Sequence, residues 1–183
     1  MMSDPLLKRV GLLAEIAHQK KDKRGRLGKT AMQKLLYLFQ EAYQVPLGYR
    51  FSLYTYGPYD SQVMNDLDYA NAIGALAIQY NEEGYRIELG LQKDAIERYR
   101  KEMMGEHGDA LNQLIQNYGE LNARQLELRA TLLYIANEED GVSTRHDLIQ
   151  RLTSLKPKYP DQEIGHAIDG LIDNGHLRQS FSS

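Results

Sequence analysis

The string Gly25-Arg26-Leu27-Gly28-Lys29-Thr30 holds the residue types of a phosphate-binding loop. Such a loop wraps a phosphate in backbone amides and needs four residues between its first glycine and the Gly-Lys-Thr. The residue at that place is Lys23, and no strand pattern leads into the segment. A tight turn between two helices is the reading it supports instead. Metal-assisted phosphodiester cleavage needs acidic ligands at useful spacing, yet no lysine here has Asp or Glu two positions before it. There is no cysteine, which excludes disulfides, thiolate metal sites and a Cys nucleophile. His166 and Asp169 stand at i,i+3 and offer two metal ligands on one helix face, without an evident third. No catalytic residue, metal or cofactor is therefore assigned, and the chain reads as a non-enzyme.

Two groups of residues suit binding. Lys20, Lys21, Lys23, Arg24, Arg26 and Lys29 lie together against one anion, Asp22, and Lys34 continues the positive field. Lysine and arginine supply most sequence-independent affinity for nucleic acid by neutralising phosphates, so these seven are the candidate nucleic-acid contacts. Nine of the 13 tyrosines fall between Tyr37 and Tyr85. Tyrosine gives large contact area with few rotors to freeze, which suits interfaces; it also fills small cores with its hydroxyl reaching solvent. Tyr54, Tyr56, Pro58, Tyr59 and Asp60 form the candidate partner-binding corner, held by Gly57-Pro58. At 183 residues, 42% hydrophobic and net charge −3, the chain is an ordinary globular one and not a polyanion binder by bulk charge. No apolar run reaches the roughly 18 residues of a membrane span, and the N-terminus lacks a signal-peptide pattern. A cytoplasmic protein without membrane contact is expected.

The elements that position these groups follow from periodicity. Asp4 caps a helix from Pro5 to about His18, a glycine-marked basic loop follows, and Thr30–Tyr43 is a helix with Met32, Leu35, Leu36 and Phe39 inward. Tyr49–Tyr56 alternates as a strand broken by Gly57-Pro58. Asp60 or Ser61 caps a third helix to Ile73. Ala75–Tyr80 and Tyr85–Leu89 flank a four-residue turn and predict a hairpin. Helix then dominates from Gln92 to Tyr118, interrupted near Gly105 and Gly108. Helices at Leu126–Glu138, Ser143–Leu155 (Thr144 and Asp147 at capping-box spacing) and Asp161–Asp173 lead to Asn174-Gly175, a C-cap signal, and a short strand, His176–Phe181. The fold class is mainly α with small β-hairpins (α+β), built as two winged-helix-like units. Residues 1–91 make the first, 92–121 a helical connector, and 122–183 the second and smaller one.

Lys29-Thr30-Ala31-Met32-Gln33-Lys34-Leu35-Leu36-Tyr37-Leu38, followed by Tyr49-Arg50-Phe51 and Tyr56-Gly57-Pro58-Tyr59, resembles the YwgA-like family of uncharacterised prokaryotic proteins. Glu127-Leu128-Arg129-Ala130-Thr131-Leu132 and Leu155-Lys156-Pro157-Lys158 fit the same pattern, so the likeness spans roughly residues 7–177. More distantly, the first hundred or so residues are similar to the Panacea (SocA-like) antitoxin domain. The first resemblance implies no chemistry. The second implies toxin neutralisation or an adaptor role.

In a DNA-reading winged helix the third helix offers Arg, Lys, Asn or Gln to base edges. Here the third helices carry Asp60, Asp66 and Asp68, and Asp161, Glu163, Asp169 and Asp173, with no cation on either. A like-charge contact near 4 Å costs up to ~4 kcal/mol at an effective dielectric of about 20, against ~1–3 kcal/mol for a good groove contact. The expectation is a protein-binding module, antitoxin-like or adaptor in a defence context, favouring a basic partner. The alternative is a DNA-binding regulator using the 20–29 loop. A homodimer is compatible with either.

Overall fold

The computed structural model describes residues 4–182. Asp4 caps α1 (Pro5–Lys20) by accepting from the Leu6 amide at 2.9 Å, with Pro5 in the first turn where its missing N–H costs nothing. Loop 21–28 leads to α2 (Lys29–Glu41). A first hairpin pairs β1 (Ser52–Tyr54) with β2 (Gly57–Tyr59), and α3 (Ser61–Ala72) follows under an Asp60 cap. A second hairpin pairs β3 (Leu76–Asn81) with β4 (Gly84–Leu89). After a 3-10 turn at Lys93–Ile96 come α4 (Glu97–Tyr118), α5 (Ala123–Glu138), α6 (Arg145–Leu155) and α7 (Asp161–Asp173). The protein is α+β, mainly helical with two small antiparallel hairpins.

Five consecutive apolar residues, Leu35 to Phe39, leave α2 no polar face, and it is buried all round. It packs against α4, α5 and β2. Gly11 lets α1 meet the start of α4: a Cβ there would lie 2.8 Å from the Tyr99 carbonyl carbon. The buried hydrophobic residues form one continuous cluster from Val10 to Phe181. Residues 92–121, expected as a connector, thus contribute Met103, Leu111, Leu114 and Tyr118 to the common core. The expected break in that helix falls at His107, which departs from helical φ/ψ between Gly105 and Gly108.

Four expectations are corrected. Gly57-Pro58 does not end the strand but forms its antiparallel partner, after the two-residue turn Thr55-Tyr56. Likewise β3 and β4 join through only Glu82 and Glu83. His176–Phe181 is not a strand: the His176 and Leu177 amides fold back onto the Leu171 carbonyl, and Gln179–Phe181 is a 3-10 turn that buries Phe181. The capping box of Thr144 and Asp147 is present, whereas Pro160 rather than Asp161 takes the N-cap of α7.

Candidate functional site

The first hairpin is clasped from below by α2. The Gln33 side chain accepts from the Asp60 amide at 3.2 Å and donates to the Asp60 carbonyl at 2.8 Å. Two turns on, Gln40 answers the Tyr49 amide and carbonyl, each at 3.0 Å. Between them the Lys34 ammonium donates to the Pro58 carbonyl at 2.6 Å. Side-chain amides thus complete backbone bonding that a third strand would otherwise supply.

The other half of the chain holds the turn from the far side. The Lys156 ammonium donates to the Thr55 carbonyl and lies 2.7 Å from Glu127 Oε1, an ion pair by distance without hydrogen-bond alignment. Lys158 reaches the same carboxylate at 3.1 Å. Gly57 has φ +84°, and a Cβ there would sit 2.7 Å from Thr131 Oγ1 on α5. The cluster therefore joins Lys34, the Thr55–Pro58 turn, Glu127 with Thr131, and Lys156 with Lys158. Two ammonium groups, Lys156 and Lys158, pair with one carboxylate, and Lys34 interacts with it at longer range. Burial pushes Lys34 down to about 8, opposed by Glu127 and assisted by Lys156.

This clasp settles where the partner-binding candidates lie. Tyr54 and Tyr56 are 63% and 62% exposed. Tyr59 is half-buried, its ring 5.3 Å from that of Tyr54. Pro58 is buried and offers no contact, a correction that follows from Lys34 reaching its carbonyl. Asp60 is engaged by the Arg50 and Gln62 amides at 2.6 and 2.8 Å. A cavity of about 250 Å3 opens behind the rings, lined by Tyr54, Tyr56, Tyr59, Met64, Lys29 and Lys34 among others. Lys29 also covers the Tyr85 ring at 4.5 Å, and Tyr85 packs on Tyr80 at 4.9 Å. Tyr80 is 73% exposed. The tyrosine surface thus runs across both hairpins, and its second half was not read in the sequence, although Tyr80 and Tyr85 flank a turn signal.

The acidic third helix is also corrected. Asp66 is fully buried, paired with Arg9 at 2.6 Å and bonded by the Tyr49 hydroxyl and the Gln62 amide, both at 2.8 Å. Asp68 remains on the surface, 3.5 Å from Lys29. On α7, Glu163 pairs with Arg124 at 2.8 Å and Asp169 with Arg145 at 2.6 Å. The free carboxylates expected to favour a basic partner are largely neutralised within the fold.

The basic residues separate into three kinds. Lys20 and Lys34 are buried, with Lys20 donating to the Gly119 carbonyl at 2.6 Å, so neither reaches a nucleic acid. Arg26 ties down the second hairpin through Glu83, Asn81 and the Tyr85 and Gly84 carbonyls. Lys29 is engaged by Asp68 and Tyr85. Lys21, Lys23 and Arg24 are exposed, and their side chains bond to nothing. Arg145 also removes Asp169 as a ligand beside His166, and it holds that carboxyl below the usual range. Arg100 and His107, with six residues between them, have a spacing that arginine–histidine ribonuclease pairs use, although the sequence was expected to lack that pattern. Arg100 is held by Glu15 at 2.9 Å and is absent from the cleft that His107 lines.

Among the described residues, no group of three metal-ligating side chains is gathered and no helix is long and apolar enough to cross a membrane. No family model matches the sequence, and comparison with curated proteins finds no match.

Proposed function

We propose that the chain is a non-enzymatic protein-binding module that meets its partner through the tyrosine surface of the two hairpins. One observation carries this reading: Tyr54 and Tyr56 stand exposed on a turn fixed from both sides by Gln33, Lys34, Gln40 and Lys156. Rigid aromatic anchors beside a small pocket are the features that concentrate binding energy in protein interfaces. Among the described residues, five of the six exposed large hydrophobic side chains are tyrosines of the hairpins or of α3, and clustered exposure of that kind marks interaction surfaces. An apolar side chain of the partner fits the cavity behind Tyr54 and Tyr56. With Asp66 turned inward, the surface is close to neutral, and a basic partner is no longer favoured.

The antitoxin-like or adaptor role, in a prokaryotic defence context, rests on the more distant resemblance of the first hundred or so residues to the Panacea pattern. The winged-helix reading of residues 1–91 belongs with it. It is supported by the Ile87 amide donating to the Leu27 carbonyl at 2.8 Å, which sets the α1–α2 loop alongside β4.

The test compares native-cell co-purification by the wild type with that by Tyr54→Ser/Tyr56→Ser. The expected outcome is a stoichiometric protein retained by the first and lost by the second, with melting temperatures within about 2 °C because exposed substitutions change stability little. Equal retention by both forms overturns the proposal.

A further inference from the structure

Most cations of this protein are satisfied from within. Among the described residues, the lysine and arginine side chains that meet no carboxylate, carbonyl or ring are Lys21, Lys23, Arg24, Arg50 and Lys93. Four of these five gather at one place. Lys21, Lys23 and Lys93 line a groove of about 650 Å3 between loop 21–28 and the second hairpin, and Arg24 lies between two of its lining residues, Lys23 and Gly25. Arg86 stands on the β4 side of the same groove, paired with Glu88 at 3.0 Å, and the other lining carboxylate, Glu83, is taken up by Arg26 at 2.8 Å. Unpaired like charges in one cleft repel each other and weaken the compact state. Elsewhere among the lysines and arginines only Arg50 is left unmatched, so the accumulation here suits an anion supplied from outside.

The groove floor is apolar. Leu27, Ile87 and Leu89 lie along it, and Leu91 at its rim is 97% exposed. Cations on both walls over an apolar floor suit a ligand that alternates anionic groups with apolar surface. A sugar–phosphate backbone does this; an acidic peptide carries its charge without that regular alternation. An open cleft with charges spread along two walls also differs from the convergent donors that a single phosphate requires.

We infer that this groove binds the phosphate backbone of a nucleic acid, through Lys21, Lys23, Arg24 and Lys93. The site is independent of the tyrosine surface and holds whether or not a protein partner binds there. Lys20 and Arg26 are positioning residues: one anchors the end of α1 on Gly119, and the other holds the β4 wall.

Fluorescence anisotropy with labelled duplex and single-stranded oligonucleotides tests it across a salt series. Four neutralised phosphates give a slope of log K against log salt of about −3.6 for duplex and about −2.8 for a single strand. Lys21→Ala/Lys23→Ala/Lys93→Ala reduces the duplex slope to about −0.9 and weakens binding more than about tenfold at ~50 mM salt. Arg98→Ala/Lys101→Ala/Arg178→Ala removes the same charge from exposed positions outside the groove and leaves the slope unchanged. Absence of wild-type binding at ~50 mM salt, equal losses in the two triple variants, or tighter binding of poly-glutamate than of either oligonucleotide overturns the inference.

Discussion

Lys34 is an ammonium with a single carbonyl as its hydrogen-bond acceptor, enclosed by α2, the first hairpin and α5. Because its folded pKa of about 8 lies below the ordinary 10.5, the unfolded chain retains a proton that the folded one has released between those values. Stability therefore rises with pH through that window, by about 2 kcal/mol between pH 8 and roughly pH 9.5. Urea titrations over this range show the full rise in the wild type and a smaller one in Lys34→Met, where Lys20, whose pKa burial also lowers, still contributes; parallel pH dependence in the two proteins refutes the assignment. The range ends before the buried phenols of Tyr37 and Tyr49, which burial pushes up, ionise in the unfolded chain and reverse the trend. At this scale the sequence was only half legible. The basic and aromatic groups were visible, but formal charge does not reveal which groups face inward. The uninterrupted Leu35–Phe39 run was the missed signal: a helix buried all round carries its Gln33 and Lys34 into the interior with it. For Asp66 no comparable signal exists, because its partners Arg9 and Tyr49 come from distant segments.

The first hairpin shows how an element depends on one backbone position. Gly57→Ala places a side chain at φ +84° and drives its Cβ to 2.7 Å from Thr131 Oγ1. The left-handed conformation costs about 1–2 kcal/mol, and displacing the buried hydroxyl adds to it. A loss of about 2–4 kcal/mol is expected in denaturant melts. Thr131→Ala in the same background restores the steric part and leaves the conformational part, so the two substitutions couple. Strict additivity in that double-mutant cycle contradicts the packing described. Helices were the legible elements, because caps and 3.6-residue periodicity are local: Asp4, Thr144 with Asp147, and Asn174-Gly175 all mark real ends. The misread segments were the short extended ones. Whether Gly57-Pro58 ends a strand or begins its partner depends on the α2 and α5 side chains packed against it.

For the molecule as a whole, the single buried cluster joins the segments expected to be separate units. Lys20 to Gly119, Lys156 to Thr55, and Tyr118 to His176 at 2.5 Å tie them further. Far-UV circular dichroism and near-UV tyrosine signals should then lose amplitude together in urea, in one transition, and residues 1–91 alone should show no cooperative melt. Two resolved transitions, or a stable 1–91 fragment, would restore the modular reading. Charge at this scale was misleading in a specific way: the net value of −3 conceals a cleft where cations stand unmatched. The two glutamines of α2 have one more effect. Each answers both polar atoms of a single residue, so sliding the chain by one position would strand two carboxamides at once. That leaves the Tyr54–Tyr59 turn one allowed alignment, so the partner proposed above would encounter the same outline at every collision, with no search among conformers to slow its capture.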